Sequence, residues 1–332
     1  MIAHDPLSPT RMTRLLRVRE LPILLVLFFL VLITTLIDHR FLSEGNLRNV
    51  LLWIPLVVVV AAGEMMVIIS RGVDVSVGSI MGLAGMTVGV LFRNHTIDNV
   101  YLGSVIAILL GGLLGAVNGT LIAFCKVPPI VATLGTLGAF RGLVHIVSRG
   151  YQINAYELPP SLGSWSINGP FNQTLVPWLV IVAAVVTVLA MLFLRFTITG
   201  RNIYAVGGNP DAARLRGIPV RGVSFLVYVI AGMCAGFAGI LYASRFGTLN
   251  PAAVGTGFEL VVISAVVVGG VSIFGGTGTM PGVLLGCVLL GTIYTALTAL
   301  NVADAWQTTS YGLVILSAVI FDDVMDRRAR AA

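Results

Sequence analysis

The chain has 332 residues, of which 57% are hydrophobic and only 10% charged, with a formal net charge of +6. A soluble domain carries about 25% charged residues, so this composition excludes a soluble enzyme, a secreted domain and a disordered chain. It predicts an all-α, polytopic membrane protein, and the 38 glycines fit, because glycine lets membrane helices pack closely.

Apolar stretches of about 17–25 residues, enough to cross a bilayer core, recur along the chain. Ten spans are predicted, at 21–37, 51–69, 76–92, 101–124, 129–147, 176–194, 223–244, 257–274, 280–300 and 306–321. The third and eighth are short and rich in glycine. Arg11, Arg14, Arg17 and Arg19 precede the first span, as they would in a signal peptide. Its apolar core is long and lacks a small-x-small cleavage pattern, so it reads as an uncleaved first span. The predicted organisation is a tail at 1–20, a membrane domain at 21–322 and a second tail at 323–332.

Lysine and arginine set the orientation. With the N-terminus inside and ten alternating spans, fourteen of the twenty basic residues fall inside and five outside, with Arg141 in a span. The predicted topology therefore has both termini in the cytoplasm, and the net charge reports topology, not nucleic acid. Two loops are long. Residues 148–175 fall outside; residues 195–222 fall inside and are basic. The inner loop separates five spans from five, and an odd number per half implies a 5+5 inverted repeat.

The inner loop holds a compact signal. Asn209 is a helix cap, with Pro210 at the first helical position after Gly208. Asp211 sits in the first turn, where the helix dipole favours an anion. Ala212, Ala213, Arg214 and Leu215 form the predicted helix, Gly217 ends it, and Pro219 after Ile218 prevents its continuation. So short a helix is marginal alone. Either it docks in a partner's groove, or it is a plain connector held inside by its arginines.

Polar residues in apolar surroundings are the other candidates. Asp74 lies among Gly72, Ser76, Gly78 and Ser79, where an acid either lines a pathway or pairs with a charge. Pairing with Arg71 is the favoured reading. Glu64, Arg141 and Glu259 raise the same question, and Glu64 is the obvious partner for Arg141. Asn118, Thr133 and Thr136 offer hydrogen bonds to a passing polar solute, but bonding between helices is the commoner use of such residues. Phe140 offers a stacking face, with plain packing as the default. The three cysteines and four histidines have no metal-ligand spacing, and no HExxH or Ser/His/Asp set appears. Gly275-Gly276-Thr277-Gly278 lacks the GK[ST] ending of a phosphate loop, so no nucleotide site is expected in this chain.

Four segments in order resemble one family. They are Gly200-Arg201-Asn202 with Gly207-Gly208-Asn209-Pro210; Gly72-Val73-Asp74-Val75-Ser76-Val77-Gly78; Asn118-Gly119 with Pro129-Ile130-Val131-Ala132-Thr133-Leu134-Gly135-Thr136; and Gly255-Thr256-Gly257-Phe258-Glu259-Leu260. Together they resemble the permease subunits of bacterial ABC importers for ribose and related sugars, across residues 45 to 322. Within that group Ile130 to Gly142 and Val319-Ile320-Phe321-Asp322 are most similar to permeases for autoinducer-2, with rhamnose and ribose close behind. The resemblance implies a multi-pass subunit of the inner membrane that takes a small neutral sugar from the periplasm. It implies an ATPase partner holding the ATP, a periplasmic sugar-binding protein, and a second permease subunit, identical or similar. It assigns Gly208 to Gly217, with Ile218, to ATPase docking. The competing expectation is an ion-coupled secondary carrier, which needs a midplane ion site.

Overall fold

The computed structural model describes residues 21–170 and 176–303, with residues 305–307, 309–313, 316–317 and 320 beyond them. The chain is helical. The one strand-like pairing among the described residues is an isolated bridge between Ile153 and Leu249. The helices are α1 (Leu21–Ile37), α2 (Glu44–Ile69), α3 (Val77–Arg93), α4 (Val100–Ala123), α5 (Pro129–Ser148), α6 (Pro160–Ile167), α7 (Trp178–Phe196), α8 (Ile198–Gly208), α9 (Pro210–Leu215), α10 (Val220–Phe246), α11 (Phe258–Val268) and α12 (Met280–Ala299).

Six of these, α2, α4, α5, α7, α10 and α12, are long and apolar enough to cross a membrane. The shorter apolar helices α1, α3 and α11 also fall on predicted spans. The tenth predicted span, 306–321, lies partly outside the described residues, and its described residues are helical. Boundaries differ where polarity misleads. α2 begins at Glu44, because its first turns carry Glu44, Asn46 and Arg48 and hydropathy alone drops them. α11 stops at Val268, where Gly269 and Gly270 follow and Gly270 is left-handed at φ 86°. Its 11 residues make about 16 Å, roughly half a bilayer core.

α2 is the centre. Leu56 to Ile69 is buried without a break, as expected of a helix that is apolar all round. It packs against α7, α10, α11 and α12. α10 is the second hub and meets α2, α3 and most extensively α4. Glycines make that last contact possible. A Cβ on Gly111 of α4 would strike the carbonyl of Gly232 on α10, and one on Gly232 would strike the carbonyl of Gly111. Gly115 and Gly236 meet the opposite backbone in the same way. This is small-residue packing at four-residue spacing on both helices.

The helices put their corners at two ends. At one end Gly276 N donates to Ile69 O at 2.8 Å, and Tyr204 Oη donates to Gly278 O at 2.9 Å. Lys126, Arg214 and Arg221 line one groove of about 860 Å³ there. At the other end Arg48 donates to the carbonyls of Ser166 and Ile167, at 3.1 and 3.0 Å. Ser166 and Ser244 tie α6 to the end of α10, by Ser166 Oγ to Ser244 O and Ser244 Oγ to Leu162 O, both 2.8 Å.

Candidate functional site

The loop between α7 and α10 is more helical than the sequence implies. Thr197 caps α8, its Oγ1 accepting from Gly200 N at 2.9 Å. α8 then lies on the corner after α2, and Gly207 is pressed so close that a Cβ would strike Ile69 O. Burial pushes the Tyr204 phenol above its usual range, so it remains a donor to Gly278. The α8 helix is absent from the sequence reading because its three glycines weaken local propensity, while its stability comes from this packing.

α9, the helix that the sequence predicts after the Asn209 cap, follows after one residue. Asn209 Oδ1 accepts from Asp211 N and Ala212 N at 3.1 and 3.0 Å, and Pro210 opens the helix. Its exit is a Schellman motif. Ile218 N donates to Ala213 O at 3.1 Å, Gly217 N donates to Arg214 O at 3.0 Å, and Gly217 has φ 80°. Six residues are thus closed at both ends. Asp211 and Arg214 form an exposed pair at 3.5 Å. Ala213 faces inward and is 3% exposed, while Leu215 is 91% exposed. Leu215, which the sequence places in this helix, points outward.

A second cluster starts three residues after Arg71. After α2 the chain turns back along it, and Gly72 to Ser76 run non-helical before α3 starts. Asp74, Ser76, Asn118 and Thr133 are fully buried, and Thr136 nearly so. Asp74 Oδ1 accepts from Ser76 N at 2.8 Å and Ser76 Oγ at 2.6 Å. Asn118 Nδ2 donates to Asp74 Oδ2 at 3.2 Å and to Ser76 Oγ at 2.7 Å. Thr136 Oγ1 donates to Asn118 Oδ1 at 2.7 Å. Thr133 Oγ1 donates to Pro129 O at 2.9 Å within its own helix, and reaches Val73 O at 3.4 Å. Five residues proposed from sequence therefore meet in one knot that joins α3, α4 and α5. Each spends its polar atoms on a neighbour or on its own helix.

Two expected pairings are not formed. Arg71 does not face Asp74; its Nε donates to Gly207 O at 2.6 Å and its Nη2 to Gly208 O at 2.7 Å. Its left-handed backbone, φ 69°, turns the side chain away from the bundle. Glu64 does not face Arg141; its Oε1 accepts from Asp74 N at 3.0 Å. Arg141 Nη1 donates to Val254 O at 2.5 Å, and its electrostatic partner is Glu259. Glu259 stands in the first turn of α11, beside Gly78, where a Cβ would strike its Oε2. Phe140 is buried one turn beyond Thr136 on α5. Neither Glu259 nor Phe140 belongs to the knot.

Comparison with known proteins agrees with the resemblance read from the motifs. The family described as branched-chain amino acid transport system / permease component matches residues 46–321. The autoinducer 2 import system permease protein LsrC of Photorhabdus luminescens is 34% identical over 305 residues, covering 92% of this chain and 89% of that one. Its namesake in Enterobacter sp. (strain 638) is 36% identical over 311 residues, covering 94% and 88%. That of Yersinia enterocolitica is 35% identical over 304 residues, covering 92% and 82%. No solved structure matches. A match over residues 46–321, a range that includes the α8–α9 corner and the buried knot, places this chain in the branched-chain amino acid transport system / permease component family.

Proposed function

We propose that this chain is the membrane-spanning subunit of an ATP-driven importer for autoinducer-2 or a sugar of the ribose and rhamnose class. The observation that carries the reading is α9: a helix closed at both ends, presenting Leu215 to the outside, in a chain about one-third identical to autoinducer 2 import permeases. The chain is a translocation subunit and not an enzyme. ATP is hydrolysed on an ATPase partner that receives α9, with Gly208 to Gly217 and Ile218 as its docking loop. A periplasmic binding protein delivers the sugar, and a second permease subunit, identical or similar, completes the channel.

The topology in this reading has ten spans, both termini in the cytoplasm of a bacterium, and the 148–175 loop in the periplasm. The tails are 1–20 and 323–332, flanking a permease domain at 21–322 with its coupling loop at 195–222. Contacts support an inverted repeat of five and five. α2 meets α10, α11 and α12, while α10 meets α2, α3 and α4, so the partners exchange when the halves exchange. α3 and α11 occupy matching places, and each follows a non-helical, glycine-bearing stretch, with Asp74 inside the first stretch and Glu259 in the first turn of α11. Broken helices in matching positions of two halves mark the translocation region. In this reading the knot of Asp74, Ser76, Asn118, Thr133 and Thr136 frames the path, and Glu259 and Phe140 border it from α11 and α5.

The test is co-reconstitution of the chain with its ATPase and binding protein in proteoliposomes. Autoinducer-2 is expected to stimulate ATP hydrolysis and to accumulate inside; ribose and rhamnose define the specificity. Uptake driven by an ion gradient without the ATPase would instead establish a secondary carrier.

A further inference from the structure

At the corner that carries α9, one side chain holds the end of α8. Arg71 sits two residues after α2, and its guanidinium spans to the end of α8, with Nε on Gly207 O and Nη2 on Gly208 O. These are the last two residues of α8, and Asn209, the cap of α9, comes next. A planar fork holds two acceptors in a fixed geometry. A cation at a helix C-terminus also faces the negative end of the dipole. Among the described residues no carboxylate lies within ion-pair distance of Arg71. Its donors go to the α8 backbone.

The other side of the same turn leads inward. Three residues on, Asp74 anchors the non-helical start of α3 to Glu64 on α2 and Asn118 on α4, and Asn118 passes the connection to Thr136 on α5. Gly276 N on Ile69 O adds the α11–α12 loop to the joint. A continuous run of hydrogen bonds and short backbone links therefore extends from the cap of α9 to four membrane helices. Arg71 is the one side chain in this run that reaches the α8 terminus. A displacement of α9 that keeps both Arg71 bonds must carry residues 70–72 with it.

We propose that Arg71 is a positioning residue that transmits movement of α9 to the broken start of α3, and so couples hydrolysis on the ATPase to opening of the path. This rests on the importer reading above. Coupling between sites is claimed properly only when it is measured. The measurement is moles of autoinducer-2 moved per mole of ATP hydrolysed by the full complex in proteoliposomes, with ATPase co-purification recorded for each variant. Arg71→Ala is expected to retain the ATPase and its hydrolysis while transport per ATP falls about tenfold, within the ordinary range of coupling between sites. Arg71→Lys, which reaches one carbonyl, is expected to recover part of that loss. An unchanged ratio in Arg71→Ala overturns the proposal. Loss of ATPase co-purification in both variants overturns it too, because Arg71 would then only build the docking surface. If Arg71→Ala does not accumulate in the membrane, Arg71→Lys decides by the same two criteria. A wild-type complex without ATP-dependent uptake defeats the importer reading itself, and that result is seen before any variant is compared.

Discussion

Thr136 Oγ1 donates to Asn118 Oδ1 at 2.7 Å, and that bond fixes which way the Asn118 amide faces. Its nitrogen must then point to Asp74 and Ser76. Asn118→Ala leaves the buried Asp74 Oδ2 without its donor and is expected to cost about 2–3 kcal/mol. Thr136→Val removes one neutral bond between helices and is expected to cost about 0.6–1 kcal/mol. Heating in detergent, with exposure of the buried Cys287 thiol as readout in a Cys125→Ser background, ranks the two. Equal losses would show that Asn118 is not the hub.

Leu215 predicts the docking energetics. An exposed leucine that enters a partner's groove contributes about 1.5–3 kcal/mol. Leu215→Glu should therefore reduce ATPase co-purification about tenfold or more with no change in melting, since the side chain touches little of its own chain. Ala213→Asp should also lose the ATPase, but by a different route. Ala213 is buried, so an acid there disrupts α9 itself, and protease sensitivity of the loop should rise only in that variant.

The α4–α10 contact predicts a sharp contrast between glycines. Gly111→Leu has the backbone of Gly232 in the way and should prevent folding or cost more than about 4 kcal/mol, the range of severe core defects. Gly135→Ala, in α5 with open space around its Cβ, should be neutral or stabilise by up to about 1 kcal/mol. Yields of folded, monodisperse protein after membrane extraction separate the two.

Arg141 and Glu259 should be energetically coupled across α5 and α11. Arg141→Met and Glu259→Gln each lose the interaction, so the double variant should lose less than the sum, by about 0.5 kcal/mol or more. A strictly additive cycle in thermal stability would show that Arg141 serves Val254 alone.

What the sequence reveals follows the range of the interaction that decides each feature. The α9 cap, its first proline and its closing glycine are local, and all three lie where the loop pattern puts them. The apolar helices are legible because burial in lipid demands an apolar run of fixed length. The partner of Asp74 is not legible, since Asn118 lies 44 positions away and Arg71 is a near neighbour in sequence. Only the left-handed backbone at Arg71 separates them, and no residue type announces that conformation in an arginine. α8 is illegible for a related reason: its support is Ile69 and Gly276, remote in sequence. The early end of α11 is half legible, in Gly269 and Gly270, but the apolar residues beyond them mask it.

Two helices that touch backbone to backbone have no side chains left to slide over. Where Gly111, Gly115, Gly232 and Gly236 meet, no rotamer can change to let α4 and α10 slip. The pair acts as a mast. A transport cycle must then be made of parts swinging about it, and α5, which meets α4 far more lightly than α10 does and is tied to it at the knot through one threonine and one asparagine, is free of that rigid seam.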